Sequence, residues 1–392
     1  MESLNRWHVF TLAVLAYYAT LVFYRLFLDP LARFPGPRLA AISRWYETYY
    51  DVFLGGKYTF KIAELHKEYV RTNCMWRTPQ FYETLYHLDG RWDKYAWTYD
   101  AFGASDSTVF GSGHDAHKIR RRAIAPFFSK PNALARQEML CRNVEKLCRR
   151  ISDLDGTTFN LGAAISAFTR DNANGFILGK AYDELDLDDF GIGLSIASHG
   201  AGFMWHTTKH LRWFGPKLKA MPVSWIMKSA DEGMKAFIRF MQQYEQDTRG
   251  TLAAAKSSSS PSGDTSDNVV RNTMVDQIGN SNLPPAEKRL ERVIQEMGPT
   301  LGAGLETTAN TLRLVFYLVY SNAEILRRLR QELVSVATTG ASTSPSLKQL
   351  EQLPYLTAVL TKGLRPLFAG HMDVPRHAVS PRSLRFLTPV SG

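Results

Sequence analysis

Six consecutive residues, Ala303-Gly304-Leu305-Glu306-Thr307-Thr308, place an acid, two hydroxyls and a glycine within two turns of any helix they form. Gly302 and Gly304 sit inside an otherwise helix-compatible run, where each interior glycine costs roughly 1 kcal/mol relative to alanine. That cost makes sense where something flat or bulky must approach the backbone. A threonine hydroxyl can bond back to the preceding turn, open the helix slightly and make room for water. An adjacent acid, Glu306, can relay protons. On these residues alone the competing interpretation is a close helix–helix crossing beside a solvated glutamate. The cysteines, Cys74, Cys141 and Cys148, form no CxxC pair or other metal-ligand spacing, and their odd number argues against a disulfide scaffold.

The elements that must position these groups are mainly helical. Ala133–Ile151 and Glu232–Gln246 carry apolar residues at three- and four-residue spacing. Asn282-Leu283-Pro284-Pro285 predicts a helix start, and an apolar segment then runs from Leu290 to about Tyr320. Ser321-Asn322-Ala323-Glu324 has the pattern of a capping box, opening a helix with Ile325, Leu329 and Leu333 on one face. Leu350–Leu364 reads as a final helix, and 366–392 as an irregular, divergent tail. The serine-rich stretch 256–267 and the segment Thr338–Ser346 read as loops.

The N-terminus has a different character. Trp7 to Tyr24 is uncharged and Leu26-Phe27-Leu28 extends the apolar run to about 22 residues, against roughly 20 needed to cross a bilayer core. Arg25 can snorkel to the headgroups. A cleaved signal peptide is the rival, but the run is long for one and no small-x-small site closes it. Arg33, Arg38 and Arg44 follow the span, which predicts a single-pass anchor over 1–28 with the bulk of the chain cytosolic. Phe34-Pro35-Gly36-Pro37 cannot continue a helix and makes 29–40 a stiff proline-rich hinge. The net charge of +10 is spread over helical segments such as Lys118–Arg122, not over a tail or an aromatic-interleaved strip, so no nucleic-acid partner is expected. A composition of 45% hydrophobic and 21% charged residues is ordinary for a folded domain.

Taken in order, several segments resemble a cytochrome P-450, the haem-thiolate monooxygenases, and specifically the fungal, endoplasmic-reticulum, trichodiene oxygenase-like type. Tyr24–Phe27 through Phe34–Leu39 looks like the family's anchor exit and hinge, with Arg44-Trp45-Tyr46-Glu47 continuing it. Phe81–Tyr86, and His114–Arg122 followed by Pro126-Phe127-Phe128, resemble the segments before and across the haem edge. Ala303–Thr308 resembles the oxygen-activation segment, and Leu353–Arg365 a following structural helix. The resemblance implies a mainly α fold with a minor β-sheet, with a P-450-like helical domain over 41–365. It implies that His117 and Arg121 contact haem propionates, where charge-assisted bonds from residues one turn apart suit a carboxylate. It further implies that Glu306 and Thr307 deliver protons to iron-bound dioxygen, that Ala303 and Gly304 line the haem and substrate space, and that Arg365 is structural. Phe203–Trp213 matches the variable substrate-access region. The expected partners are a lipophilic small molecule, possible terpenoids among them, membrane lipid and an NADPH-cytochrome reductase.

Three departures qualify this. The family's Glu-x-x-Arg pair has Lys362 at the glutamate position, and a buried pair broken in this way costs roughly 3–5 kcal/mol. Glu68-Tyr69-Val70-Arg71 passes almost directly to Thr78-Pro79-Gln80, where the family has a turn and strand. No cysteine follows Cys148, so the proximal thiolate that promotes O–O cleavage is expected to be missing and the fold incomplete at the C-terminus. The resulting expectation is a secondary-metabolite monooxygenase by family that is inactive as written. The alternative is a non-catalytic, membrane-anchored remnant or truncated gene product.

Overall fold

The computed structural model describes residues 2–69, 83, 86–87, 90–154, 156–257, 273–337 and 345–369. Helix α1 (Glu2–Phe23) continues through a π-helical turn, Tyr24–Leu28. It is followed by α2 (Arg38–Ile42), α3 (Trp45–Thr48), α4 (Tyr58–Tyr69), α5 (Ala96–Tyr99), α6 (His114–Ile124), α7 (Lys130–Leu134), α8 (Gln137–Asp153) and α9 (Leu161–Leu178). Then come α10 (Ile192–His210), α11 (Phe214–Ala220), α12 (Val223–Ser229), α13 (Glu232–Ser257), α14 (Met274–Gly279), α15 (Leu290–Tyr320), α16 (Ala323–Ala337), α17 (Leu347–Glu351) and α18 (Pro354–Ala369). The chain is mainly α, as expected. The minor sheet has no counterpart among the described residues, and both Thr72–Arg77 and most of Phe81–Tyr86 lie outside them.

The chain divides into two compact units. One comprises 1–103, 112–114 and 200–223; the other comprises 104–111, 115–199 and 224–392. In the first, Arg6–Leu28 forms a 23-residue apolar helix none of whose hydrophobic window is buried. Trp7, Phe10, Leu12 and Leu15 are all well exposed. One N-terminal apolar helix is thus present and consistent with membrane anchoring. After it the chain leaves the helix, with Asp29 accepting from the Leu31 amide at 2.8 Å and Pro37 extended at the entry to α2.

The second unit is built around α15. Its bounds match the apolar run, and Val293, Met297, Leu301, Leu305 and Ala309 form a stripe at every fourth residue, each buried. A fully buried side chain of this size contributes roughly 1.5–3 kcal/mol, so this stripe holds the helix in place. It packs chiefly on α9, where Thr169 donates to the Leu305 carbonyl at 3.0 Å. Helix α9 starts at Asn160, whose side chain accepts from the Ala163 amide, and ends at Gly179 in the left-handed region (φ 66°).

Several boundaries differ from expectation. The helix expected over Ala133–Ile151 breaks at Ala135–Arg136, because Arg136 turns inward to bond the Phe176 carbonyl and lie over the Phe127 and Phe176 rings. Pro284-Pro285 opens a 3-10 turn, Pro285–Lys288, ahead of α15. Asn322, not Ser321, caps α16: its side chain accepts from the Glu324 and Ile325 amides, each at 3.1 Å. The final helix is two helices, since Ser346 and Gln349 form a capping box on α17 before Pro354 starts α18. Helix α18 extends to Ala369, four residues into the expected tail, and Glu332 caps it by accepting from the Tyr355 and Leu356 amides at 2.8 Å. Similarly α13 runs to Ser257, into the expected 256–267 loop; 258–272 and 338–344 lie outside the described residues.

Candidate active site

The Ala303–Thr308 segment lies mid-way along α15, just after Pro299, which has no N–H to give the preceding turn. Thr300 and Thr307 each donate back four residues, to the Glu296 carbonyl at 2.7 Å and the Ala303 carbonyl at 2.6 Å. The back-bonding read from the sequence is therefore present at Thr307. A Cβ at Gly302 would meet nothing within 4 Å, and one at Gly304 would only touch the Ala173 Cβ at 3.5 Å. No helix crossing demands these glycines; they keep a bare strip of backbone.

Gly304, though not Gly302, lines one wall of a largely apolar cavity of about 680 Å³, in the size range of ligand pockets. Pro299, Thr300, Ala303, Gly304 and Thr308 line it from α15, Phe168, Ala173 and Phe176 from α9, and Met139 and Leu140 from α8. Neither Glu306 nor Thr307 is among its lining residues. Thr307 is exposed, while Glu306 points into a polar cluster. Its carboxylate accepts from Arg313 at 3.1 Å and from the Ser195 hydroxyl at 3.3 Å, with Arg170 at 3.8 Å. Arg170 is wholly buried and saturated: it donates to Glu184, to Ser195 at 2.7 Å and to the Phe190 carbonyl at 2.8 Å. Burial pushes the Glu184 carboxyl up, against the pull of Arg170. Glu306 is thus ion-paired and mostly buried. Sequence spacing could not reveal this, because its partners are 111 or more residues away, apart from Arg313.

On α6, His117 is half-buried and its Nδ1 lies 2.9 Å from the Thr108 carbonyl, while Arg121 one turn on is exposed. The intervening Arg120, not singled out beforehand, is the buried member. It donates to Glu287 through two nitrogens at 2.7 and 3.0 Å. Glu287 also lies 3.2 Å from Arg292, which pairs with Glu296 at 2.6 Å. Glu296 in turn accepts from the Thr108 amide at 3.0 Å and hydroxyl at 2.9 Å. This chain of charges fastens α6 to the first turns of α15 and so fixes where His117 and Arg121 stand. The Arg120 hydrogen bond holds the Glu287 carboxyl below its ordinary range, and burial lowers Arg292. The only sequence signal for it was Arg292-x-x-x-Glu296, a charged pair one turn apart beside the buried stripe. Lys362 is exposed on α18; the side chain of Arg365 lies outside the described residues.

These features can be weighed against a haem. Of the residues expected to contact it, Ala303 and Gly304 line the cavity, whereas His117 and Arg121 of α6 are not among its lining residues. Among the described residues no cysteine lines the cavity: Cys141 and Cys148 are exposed on α8, and Cys74 lies outside the described residues. The donor set for iron is incomplete among the described residues. In the first unit, Glu47, Asp51 and His210 converge in the manner of metal ligands, but the Lys209 ammonium pairs with both acids, 2.6 Å from Glu47 and 2.5 Å from Asp51.

A family model described as Cytochrome P450 matches residues 65–385. The chain belongs to the cytochrome P450 family. It is 35% identical over 358 residues to cytochrome P450 monooxygenase tpcC of Cochliobolus heterostrophus, covering 89% of this chain and 66% of the relative. It is 33% identical to the grayanic acid biosynthesis cluster cytochrome P450 monooxygenase of Cladonia grayi, covering 89% and 66%. It is 30% identical to cytochrome P450 monooxygenase TRI4 of Fusarium sporotrichioides, covering 90% and 67%. The chain thus spans about two thirds of the length of these P450 relatives. Cytochrome P450s are haem proteins, so haem is the cofactor the family implies.

Proposed function

We propose that this chain serves as a fungal cytochrome P450 monooxygenase of secondary metabolism, acting on a lipophilic substrate, terpenoids being one candidate class. It is held at the endoplasmic reticulum by α1 as a single pass, with the globular part cytosolic, and takes electrons from an NADPH-cytochrome reductase. The observation that carries the reading is the bare Ala303–Gly304 wall of the apolar cavity, in a chain whose relatives include a biosynthetic-cluster monooxygenase. When bound, haem supplies dioxygen activation. His117 and Arg121 would hold its carboxylates, and Ala303 and Gly304 would let the ring lie against the helix backbone. Thr307 keeps its hydroxyl proton on the Ala303 carbonyl, leaving its oxygen as an acceptor for water. Glu306 is a carboxylate held in reserve by Arg170 and Arg313, one residue from that hydroxyl. Arg365 would brace α18.

A second reading is favoured by the absence of a cavity-lining cysteine among the described residues and by exposed Lys362: a non-catalytic, anchored remnant. One experiment separates the two. The chain is purified, given haem, reduced and exposed to carbon monoxide. A Soret band characteristic of thiolate-ligated iron supports the monooxygenase; no haem uptake, or a band without thiolate character, supports the remnant.

A further inference from the structure

In the unit that carries the anchor, a second cavity of about 510 Å³ opens where α1 ends, with Arg25, Ser43, Arg44, Trp45 and Trp97 in its wall. The two arginines are tied to neutral groups: Arg25 donates to the Ile42 carbonyl, and Arg44 donates to the Tyr95 hydroxyl and stacks 4.1 Å from the Trp97 ring centre. Neither makes an ion pair among the described residues: Asp29, four residues after Arg25, accepts from the Leu31 amide, and Glu47 and Asp51 are taken by Lys209. Two uncompensated guanidinium charges therefore share one hollow, each with N–H groups to spare.

Its depth follows from the helix rise. Nineteen residues separate Arg6 from Arg25, about 28 Å at ~1.5 Å per residue, close to the ~30 Å of a bilayer's hydrocarbon core. With Arg6 at one surface, Arg25 stands at the headgroups of the other. Trp45, Tyr49 and Phe53, four residues apart and 66%, 52% and 70% exposed, are side chains suited to that same interface. We propose that this cavity binds the phosphate of an anionic phospholipid headgroup between Arg25 and Arg44, with Trp45 and Trp97 against the glycerol. The choice of a lipid source rests on reading α1 as an anchor; the phosphate chemistry does not. Guanidinium forks match phosphate oxygens better than an ammonium does.

The full chain in neutral detergent is titrated with dihexanoyl phosphatidic acid, dihexanoyl phosphatidylcholine and inorganic phosphate, by calorimetry and tryptophan fluorescence. Phosphatidic acid should bind at least tenfold more tightly than either of the others. Arg25→Gln and Arg44→Gln should each weaken it about tenfold or more, and Arg44→Lys a few-fold, with unchanged circular dichroism in the lysine variant. Equal binding by the glutamine variants and the wild type overturns the site, as does no binding at all. Inorganic phosphate binding as tightly as phosphatidic acid overturns the lipid as occupant. Carbonate extraction of membranes tests the anchor separately. A chain that carbonate releases but that still binds phosphatidic acid through Arg44 keeps the site and loses the anchor.

Discussion

Glu296→Gln should destabilise the unit built on α15 by about 3 kcal/mol. Glu296 is 1% exposed, accepts from the Thr108 amide and hydroxyl, and pairs ionically with Arg292 at 2.6 Å. Glutamine retains a carbonyl oxygen for Thr108, so the loss centres on the charge facing Arg292, itself 2% exposed. Removing one partner of a buried ion pair costs about 3–5 kcal/mol because the other is left uncompensated. Glu287, 3.2 Å from Arg292 and partly solvated, takes up some of that charge, which places the effect at the low end. At roughly 2–4 °C per kcal/mol, the melting temperature should fall by about 6–12 °C. Far-UV circular dichroism of the full chain in detergent measures this. The double variant Arg292→Leu with Glu296→Leu should lose less than the sum of its single variants, because neither charge is then stranded. A Glu296→Gln protein melting within about 2 °C of wild type, or strictly additive leucine variants, would refute the hub.

Three further outcomes are expected. Glu287, with its folded-state value held below the ordinary 4.5, contributes stability present above that value and lost as pH falls through the lowered one; the gap in denaturation midpoint between wild type and Glu287→Gln should therefore narrow in acid below pH 4.5. Gly302→Ala should stabilise the chain by up to ~1 kcal/mol through helix propensity, since its Cβ meets open space, whereas Gly298→Ala places a Cβ 2.8 Å from the Tyr244 hydroxyl and should lower the melting temperature. Thr307→Val removes only a back-bond on an exposed residue and should shift stability by no more than ~0.5 kcal/mol, while lowering product formed per dioxygen consumed if the hydroxyl handles protons.

Local signals carried the helices well. The bounds of α15 were legible because prolines precede it and its apolar residues recur along the whole segment, and the N-terminal apolar helix was legible because no charge interrupts Trp7–Tyr24. What failed was the assignment of ends, where a side chain from elsewhere decides: Arg136 reaching the Phe176 carbonyl breaks one helix, and Glu332 caps another across 23 residues. Asn322 displaced Ser321 because either could cap and only packing selects the register. The same limit hid the charges. Arg120 and Arg121 are identical in the sequence, yet one is buried on Glu287 and the other exposed, since only the rotation of α6 against α15 tells them apart.

That distinction bears on how the candidate site is held. The two polar clusters grip α15 on either side of the Ala303–Thr308 segment: Arg292 and Glu296 one turn or more before it, Glu306 and Arg313 within and after it. Between them lie Pro299 and the two unshielded glycines, the stretch of α15 with the least intrinsic helical stability. A helix weakened at its centre keeps its course only if both flanks are fixed, and here both are tied to other elements: Glu296 accepts from the Thr108 amide and hydroxyl, Glu306 meets Ser195 and Arg170, and Arg313 donates to the Gly162 carbonyl. The weak centre borders the apolar cavity, so the bare backbone is presented to it without the helix being free to unwind. Loss of either clamp should therefore disturb the cavity wall even though neither clamp lines it.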